Sequence, residues 1–346
     1  MKSVLFIFAS AVLLLSCEKK GADVLNNWPW EDPEEVVKPE EVVPEDATLD
    51  KWTDVTSSYG SLPSHIRIYK SPEKLEGKPA IAYVALADMS SAEWDIWSVR
   101  SDETYATADS YKTPSKVYSS EKWPVIINGG YFYHYDGTNY TSSLAVRNSE
   151  TLAYNINYAS EDWKTMYYPT RGAFCESSDG KFDACWTYMR ADGHYMYPSP
   201  AANTWAAKPK EQPSSSFPQG AKEFAAKTAI GGGPVLVNDG KFADTYVEEL
   251  FNGTSGIGPD SNQPRTAIGI TSDKKMILFV CEGREMTEGV PGLTTADVAN
   301  VLLDLGCVEA MNLDGGGSSC MLVNGKETIK VSDGSQRSVA STVMLK

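Results

Sequence analysis

Short apolar runs that end at glycine, asparagine or aspartate dominate the chain from residue 80 onward. Runs of this length, bounded by turn residues, are typical of buried β-strands. The predicted strands are Ala80–Ala87, Trp123–Asn128, Val235–Val237, a short strand beginning at Ala310, Met321–Val323 and Val339–Leu345.

Residues 263–280 carry a more specific pattern, in which two apolar runs flank the turn residues Ser272, Asp273 and Lys274. This arrangement predicts a β-hairpin. Arg265 enters its first strand, while Glu282 and Arg284 leave its second, so all three side chains are expected at the same end.

One segment has clear helical spacing. Residues 294–297 form a variant of the capping box, with aspartate in place of the usual glutamate. Apolar residues then recur at helical intervals until Gly306 ends the pattern. A single clear helix among many strands predicts an α/β (α+β) protein of mixed β-sheets with few helices and glycine-rich loops at strand ends.

Residues 1–17 resemble a bacterial lipoprotein signal. An apolar run from Val4 to Leu15 is too short to span a bilayer, and residues 14–17 resemble a lipobox ending at Cys17. Lipidation of Cys17 would hold the protein in the cell envelope, on the outer membrane of a Gram-negative bacterium. The alternative is an ordinary signal peptide in which Cys17 is incidental.

The organisation after Cys17 follows from composition. Residues 18–50 are rich in proline and acidic residues, which predicts a semi-stiff linker. Residues 51–346 form the predicted folded domain, with its motifs in 80–346. Residues 150–220 are an aromatic-rich insertion or subdomain whose Trp and Tyr side chains either bind sugar or form a local core, and core is the favoured interpretation.

The charge balance excludes some functions. The 346 residues carry a net charge of −15, which argues against a nucleic-acid partner because phosphate backbones attract basic surfaces. The three histidines are far apart, so a histidine-ligated zinc site is not expected. Binding of Ca²⁺ or Mg²⁺ by carboxylates remains an open alternative, although the sequence does not by itself call for a cofactor.

Five cysteines follow Cys17. An exported protein can form disulfides, and Cys175 and Cys185 flank a turn in a way that suits a short closed loop. We expect Cys281, Cys307 and Cys320 to be partly buried thiols rather than a metal site.

The strongest candidate for chemistry is the segment Asn312–Ser319. It places Asp314 before Gly315, Gly316 and Gly317, which are followed by Ser318 and Ser319. Consecutive glycines suit positive φ angles or a close approach to the backbone, and such a loop can direct several amide groups at one anion. The alternative is a tight turn in which Asp314 and the serines only cap backbone groups.

Other glycine-rich strand ends and the hairpin offer supporting groups. Asn128 and Gly129 end one predicted strand, and Gly232 precedes another. Arg265, Glu282 and Arg284 combine one carboxylate with two guanidiniums, a set that suits an anionic phosphate. The alternative is a surface ion pair between the two hairpin strands.

The order of these motifs resembles that of the phosphodiester glycosidase family, which includes the "uncovering enzyme" that removes N-acetylglucosamine from a mannose phosphodiester. The motifs are Asn128–Phe132, Gly232–Leu236 with Asp239–Gly240, Arg265–Gly269, Glu282–Arg284, Gly292–Thr294 and Asn312–Ser319. One departure is Glu282, where an Asp-Gly-Arg sequence is expected in many relatives.

The resemblance implies hydrolysis of a sugar-1-phosphodiester at the glycosidic carbon, with a phosphorylated carbohydrate as substrate. A carboxylate would assist an oxocarbenium-like transition state, Asp314 as first choice and Glu282 as second. Arg265 and Arg284 would stabilise the leaving phosphate. The remaining expected contacts to sugar or phosphate come from Asn128, Gly129, Gly232, Asn312, Gly315, Gly316, Gly317, Ser318 and Ser319.

Three other functions compete with this interpretation. A metal-dependent phosphodiesterase could use Asp314, Glu282 and Asp239 as oxygen ligands. A non-catalytic surface lipoprotein could bind glycans through the aromatic insertion. A serine hydrolase using Ser318 is less favoured, because the residues around Ser318 do not form a G-x-S-x-G motif and no histidine is near in sequence.

Overall fold

The structure, a computed structural model, describes residues 49–101 and 110–346. The predicted signal segment, Cys17 and residues 18–48 of the predicted linker lie outside the described residues. The remaining two linker positions begin a short 3₁₀ turn, Leu49–Lys51.

The described residues form 24 strands and two α-helices. The strands are β1 (Thr53–Asp54), β2 (Ile66–Lys70), β3 (Lys74–Leu75), β4 (Lys78–Pro79), β5 (Ala82–Asp88), β6 (Trp94–Ser98), β7 (Val125–Asn128), β8 (Phe132–Tyr135), β9 (Thr138–Thr141), β10 (Ala145–Arg147), β11 (Glu150–Ala153), β12 (Arg171–Glu176), β13 (Phe182–Arg190), β14 (Gly193–Tyr197), β15 (Lys222–Glu223), β16 (Thr228–Gly231), β17 (Val235–Asn238), β18 (Lys241–Phe242), β19 (Arg265–Thr271), β20 (Lys275–Cys281), β21 (Cys307–Asn312), β22 (Met321–Val323), β23 (Lys326–Glu327) and β24 (Ser341–Leu345). The helices are α1 (Pro114–Glu121) and α2 (Thr295–Asp304).

Three sheets contain most of these strands. An eight-stranded sheet has the order β1-β2-β5-β20-β19-β21-β17-β18, a seven-stranded sheet the order β11-β10-β16-β12-β13-β14-β15, and a five-stranded sheet the order β23-β22-β7-β24-β6. The expected class of β-sheets with few helices is confirmed. Neighbouring strands in the central parts of the sheets pair antiparallel, as β19 does with β20 and β21.

The apolar faces of the three sheets meet in one core. Ile68 from the eight-stranded sheet, Phe174 from the seven-stranded sheet and Ile127 from the five-stranded sheet belong to the same buried cluster. Burying a side chain of this size contributes about 1.5–3 kcal/mol. The two helices cover outer faces, with Leu302 of α2 on the eight-stranded sheet and Val117 of α1 on the five-stranded sheet.

The capping box predicted for α2 is present. The Thr294 hydroxyl accepts a hydrogen bond from the Asp297 amide, and the Asp297 carboxylate accepts one from the Thr294 amide at 2.7 Å. Lys78 pairs with the same carboxylate at 2.6 Å. The helix therefore starts at a defined residue and leads directly into β21, the strand that precedes Asp314.

The predicted hairpin is also present, as β19 and β20. Its register pairs Arg265 with Cys281, which places Arg265 beside the chain that continues into Glu282 and Arg284. The backbone therefore brings these three residues to one end of the hairpin, as the sequence predicts, although their side chains have different surroundings.

Strands β12, β13 and β14 of the aromatic-rich segment are part of the seven-stranded sheet, in which β12 pairs with β16. Trp186, Tyr188 and Tyr197 are buried there, whereas Trp163 is 78% exposed. Some of the aromatic residues in 150–220 thus form core, and others face solvent.

The five described cysteines are buried free thiols. Cys175 and Cys185 lie on the adjacent strands β12 and β13 with their thiols in contact, so the closed loop suggested by their spacing is not formed in this structure. Burial raises the pKa of Cys281 to about 12, which keeps this group a neutral thiol.

Neither of the helices within the described residues combines the length and apolar character needed to cross a membrane.

Candidate active site

Asp314 follows β21 in a position that two hydrogen bonds fix. The Asn128 side-chain amide donates to the Asp314 carbonyl at 2.6 Å, and the Asp314 amide donates to the Gly129 carbonyl at 3.1 Å. The end of β7 therefore holds the backbone of Asp314 in place and leaves its carboxylate free for other contacts.

The half-buried Asp314 lines a cavity of about 420 Å³ that also contains Arg284 and Arg337. We call it the Asp314 cavity. Its other lining residues are Tyr131, Phe132, Gly253, Ser255, Gly256, Ile257, Gly258, Ser261, Gln263, Arg265 and Gly315–Gly317. A carboxylate and several guanidiniums from separate parts of the chain thus face one space.

The Asp314 carboxyl is tuned by opposing effects. Its removal from water raises its pKa to about 6, while the Ser318 hydroxyl, the Arg337 charge and the Gly315 amide act in the opposite direction. At neutral pH the group is mostly ionised, yet its pKa is close enough to 7 for proton exchange during a reaction. This combination suits a nucleophile or a general base.

Arg337 and Arg284 bring positive charge to the same cavity. Arg337 donates to the Asp333 carboxylate through Nε at 3.0 Å and Nη2 at 2.6 Å, and through Nη1 to the Ser318 hydroxyl at 3.3 Å. Arg284 donates through Nε to the Gln263 side chain at 2.8 Å, and its Nη1 is 3.9 Å from Asp333. Both guanidiniums are oriented by the protein and remain partly exposed.

Arg337 is a site residue that the sequence reasoning did not select. It lies near the end of the chain, outside the glycine motifs and the hairpin. The only local signal is Asp333 four residues earlier, a spacing that pairs charges but does not by itself indicate an anion site.

Gly316 and Gly317 have no room for a side chain, because two arginines pack against the glycine loop. Gly316 has a φ of +59°, and a Cβ atom there would lie 2.7 Å from Arg284 Nη2. A Cβ atom at Gly317 would clash with Arg337 and Asp333. A larger residue at either position would displace the charged groups of the cavity.

Three of the loop amides expected to form an anion nest are bonded within the protein. The Gly316 amide donates to the Pro264 carbonyl at 2.9 Å, and the Ser318 and Ser319 amides donate back to Gly315 and Gly316. Because these donors are satisfied inside the protein, positive charge in the cavity comes mainly from side chains.

Arg265 does not have the expected free guanidinium. Its Nε donates to the Leu293 carbonyl at 2.9 Å, and its Nη atoms donate to main-chain carbonyls of the segment 257–261, including Gly258 at 2.6 Å and Ser261 at 2.7 Å. The side chain is fully buried. The structure therefore favours Arg265 as the residue that holds this loop in the cavity wall, rather than as a direct phosphate ligand.

Glu282 lies away from the Asp314 cavity. Its side chain is buried, and Oε1 accepts a hydrogen bond from the Lys330 amide at 2.9 Å. It is not among the residues that line the cavity. The second-choice catalytic role expected for Glu282 is therefore not supported, because the strand end turns its carboxylate toward the backbone of residue 330.

Three polar residues expected to touch substrate are instead buried and bonded to protein. Asn128 also accepts from the Thr266 hydroxyl at 2.8 Å and the Cys320 amide at 3.1 Å. Asn312 donates to the Tyr131 hydroxyl at 2.9 Å, and the Ser319 and Thr266 hydroxyl oxygens lie within hydrogen-bond distance, 3.2 Å apart. They connect the strand ends beneath the cavity, so their role is to position it.

Gly129 and Gly232 allow close packing. A Cβ atom at Gly129 would clash with Ser341, and one at Gly232 would lie 2.5 Å from the Asn312 carbonyl oxygen. Gly232 also lines a second cavity.

The second cavity has a volume of about 660 Å³ and is rich in Phe, Tyr and Trp side chains, so we call it the aromatic cavity. It shares Tyr131, Phe132, Ser255 and Ile257 with the Asp314 cavity, and the two are therefore adjacent. Its other lining residues are Tyr133, His134, Tyr135, Ser142, Ser143, Asn155, Ile156, Tyr158, Ala159, Ser160, Trp163, Arg171, Trp205, Gly232, Leu250 and Phe251. Broad aromatic surfaces next to a charged site suit a ring-shaped ligand with polar edges.

The carboxylates proposed as metal ligands are not brought together, and Ser318 and two of the histidines have other partners. Within residues 49–101 and 110–346, no group of three or more His, Cys, Asp or Glu side chains is placed to hold a metal ion, and this includes the set of Asp239, Glu282 and Asp314. Ser318 bonds to Arg337, whereas His134 bonds to Asn139 and His194 packs against Phe224.

Comparison with known proteins places these features in a family. A family model described as phosphodiester glycosidase matches residues 121–346, more than half of the chain. The catalytic domain of zebrafish N-acetylglucosamine-1-phosphodiester alpha-N-acetylglucosaminidase, in a form auto-inhibited by its pro-peptide, has a similar fold, with a TM-score of 0.51 and 18% identity. The alignment covers 87% of this chain and 91% of that domain.

Two other proteins extend the comparison. A hypothetical protein from Synechocystis aligns with a TM-score of 0.51 and 15% identity over 83% of this chain and 64% of that structure. The uncharacterized SPbeta prophage protein YomE of Bacillus subtilis is 39% identical over 82 residues, which are 24% of this chain and only 12% of YomE. At such low identity the structural matches show the fold alone.

Proposed function

Because the chain belongs to the phosphodiester glycosidase family, we propose that it hydrolyses a sugar-1-phosphodiester by breaking the glycosidic C–O bond. The products are a free sugar and a phosphomonoester. The observation that carries this proposal is the convergence of Asp314, Arg284 and Arg337 on one cavity beside the aromatic cavity.

Asp314 acts on the sugar carbon in this proposal. Departure of the phosphate leaves positive charge at the anomeric carbon, and a carboxylate stabilises that charge as nucleophile or as the base that activates water. The hydrogen bonds from Asn128 and to Gly129 fix its backbone, which keeps the carboxylate in one orientation.

Arg284 and Arg337 act on the leaving group. A phosphomonoester needs little protonation to depart, because its oxygen is already a weak base. Two preoriented guanidiniums stabilise the negative charge that develops on it, an electrostatic contribution for which one donor is typically worth about 10²–10³ in rate. The Asp333 carboxylate holds Arg337 in place by accepting hydrogen bonds from two N–H groups of the Arg337 guanidinium.

Hydrolysis in ¹⁸O-labelled water tests the position of bond cleavage. Attack at carbon places the label on the anomeric hydroxyl of the released sugar, whereas attack at phosphorus places it in the phosphomonoester. Mass spectrometry of both products gives the answer. Label in the phosphate would reject the glycosidase and support the phosphodiesterase alternative.

The cellular setting is a second part of the proposal. The lipobox-like residues 14–17 support lipidation of Cys17 and an envelope location, on the outer membrane of a Gram-negative bacterium, with an envelope or environmental glycan as substrate. Incorporation of a labelled fatty acid into the full chain tests this. A Cys17→Ala variant should lose the label, and equal labelling of both forms would reject lipidation at Cys17.

A further inference from the structure

The exposed aromatic residues of this protein concentrate at the aromatic cavity. Of the large apolar side chains exposed in the described part of the chain, four line this cavity: Tyr133, Tyr135, Tyr158 and Trp163. Tyr133 is additionally held in a stacked pair with Tyr140, with ring centroids 5.0 Å apart. A soluble domain rarely exposes such a group without a binding function.

A buried arginine also lines this cavity. Arg171 is only 7% exposed and begins β12. Its guanidinium lies over the ring of Phe251 at 4.2 Å, which fixes its plane. Burial lowers the pKa of Arg171 to about 10, so it remains charged at neutral pH.

The guanidinium of Arg171 has an unused hydrogen-bond donor. The Nη1 group donates to the main-chain carbonyl of Glu249, while Nε is buried without a partner. Arginine has five N–H donors in a planar fork that matches a carboxylate. An unsatisfied buried donor is costly, so this side chain is prepared for an acceptor that the free protein does not supply.

The Glu249 carboxylate balances the charge of Arg171, whereas only the Glu249 main-chain carbonyl accepts one of the Arg171 N–H donors. The Glu249 carboxylate is buried and accepts hydrogen bonds from the amides of Val235 and Gly172 and from the side chains of Trp186 and Thr245. It lies behind the cavity wall, and none of the residues lining the cavity is aspartate or glutamate. The charged guanidinium of Arg171 therefore lies at a wall that carries no competing carboxylate.

We propose that the aromatic cavity is the sugar subsite and that Arg171 binds a carboxylate on that sugar. The preferred substrates are then phosphodiesters of acidic sugars, of which uronic acids are the simplest. This inference rests on the proposed function, because it takes the adjacent Asp314 cavity as the phosphate subsite. The aromatic faces bind the ring, and Arg171 distinguishes acidic from neutral rings.

Binding to the intact protein tests this without requiring turnover. Titration calorimetry compares methyl α-D-glucuronide with methyl α-D-glucoside, and methyl α-D-galacturonide with methyl α-D-galactoside. Each pair differs only in a carboxylate replacing a hydroxymethyl group. We expect at least one acidic glycoside to bind tenfold or more tightly than its neutral partner. Equal affinities in both pairs, or no binding by any of the four, would overturn the proposal.

Variants identify the responsible side chain. Arg171→Met should reduce the acidic-to-neutral affinity ratio to near one, while Arg67→Met, the same charge change at an exposed position on β2, should leave it unchanged. Arg171→Lys keeps the charge but loses the fork, and should retain only part of the preference. A full preference in Arg171→Met would overturn the assignment.

A variant at an exposed aromatic residue of the aromatic cavity tests the proposal even if Arg171→Met does not fold. Trp163→Ala removes the most exposed aromatic side chain that lines the cavity. It should weaken the binding of the acidic and the neutral glycoside of a pair by the same factor. Unchanged binding of both members would show that the aromatic cavity is not the subsite.

Turnover separates this inference from the proposed function. If the protein hydrolyses neutral and acidic sugar-1-phosphodiesters with equal kcat/KM, and the ratio does not respond to Arg171→Met, the inference fails and the glycosidase stands. If no phosphodiester is cleaved while acidic glycosides bind through Arg171, the proposed reaction fails and the ligand class stands.

Discussion

The side-chain amide of Asn128 donates a 2.6 Å hydrogen bond to the main-chain carbonyl of Asp314, although 186 residues separate them in sequence. The same side chain accepts from the Thr266 hydroxyl and the Cys320 amide. One buried amide thereby joins the end of β7, the start of β19 and both ends of the glycine loop. This connection fixes the backbone that carries the Asp314 carboxylate.

Replacing Asn128 by Ala should destabilise the protein and reduce activity. The change leaves buried acceptors and donors without partners, a loss of about 1–3 kcal/mol for each unsatisfied group. Urea denaturation and kcat of the same preparation measure both effects. Asn262→Ala, at an exposed position, serves as the control, and matching midpoints for the two variants would contradict the positioning role of Asn128.

Activity should decline as the pH falls through about 6. The pKa of Asp314 is raised to about 6 by burial, so the carboxylate form required of a nucleophile or base is lost below that value. The expected kcat/KM falls tenfold per pH unit on this acidic limb. If Asp314 acted as a general acid, activity would instead rise toward low pH, and the profile would reverse.

Asp314→Asn tests the same group directly. It preserves shape and removes the charge, so turnover should fall by orders of magnitude while the melting temperature shows an intact fold. Near-normal turnover in a folded Asp314→Asn protein would remove this carboxylate from the mechanism.

Arg337→Ala should reduce kcat/KM by about 10²–10³, the typical effect of removing one electrostatic stabiliser of a transition state. Because the Arg337 charge also lowers the Asp314 pKa, the acidic limb should shift to higher pH in this variant. A purely structural role would not produce that shift. Arg67→Ala provides a charge-matched control on the exposed face of β2.

The sequence was most informative where the relevant contacts are local. The turn at residues 272–274 determines the β19–β20 register, so the proximity of Arg265 to residues 282–284 could be predicted. The capping residues of α2 likewise lie within four positions of each other. The consecutive glycines before Ser318 indicated a close approach to the backbone, although not which groups make it.

Side-chain roles that depend on distant segments could not be predicted. Arg265 appeared available for phosphate, but the loop 257–261 uses its donors. Glu282 and Arg284 are two residues apart, yet one is buried against Lys330 while the other lines the cavity. The role of Arg337 could not be predicted, because only the folded structure shows that it lies beside the glycine loop. Hydropathy pattern carries no information on which donors are already satisfied.

Replacing Arg265 should affect stability before chemistry. Arg265→Met leaves several main-chain carbonyls without a donor, and we expect a loss of about 3 kcal/mol or more in the free energy of unfolding. Arg265→Lys retains the charge but cannot bond to as many carbonyls, so it should rescue only a small part of the loss. If Arg265 instead bound phosphate directly, both variants would melt normally and show an increased KM.

Treatment with excess EDTA should leave the activity unchanged. The carboxylates proposed for a metal-dependent phosphodiesterase occupy separate places, since the Asp239 amide donates to Glu309 near the β17–β18 turn and Glu282 accepts from the Lys330 amide. Hard cations such as Ca²⁺ and Mg²⁺ need several oxygen ligands around one point, which this arrangement does not provide.

The chelation assay uses the purified full chain, dialysed against EDTA and measured with and without added Mg²⁺ or Ca²⁺. Asp239→Asn is the matched variant, because Asp239 belongs to the hypothetical ligand set but takes no part in the proposed reaction, and this variant should retain full turnover. Loss of activity in EDTA with recovery on adding a cation would favour the metal-dependent alternative. The charge on the leaving phosphate would then be stabilised by the metal rather than by Arg284 and Arg337 alone, and the effect of Arg337→Ala would shrink accordingly.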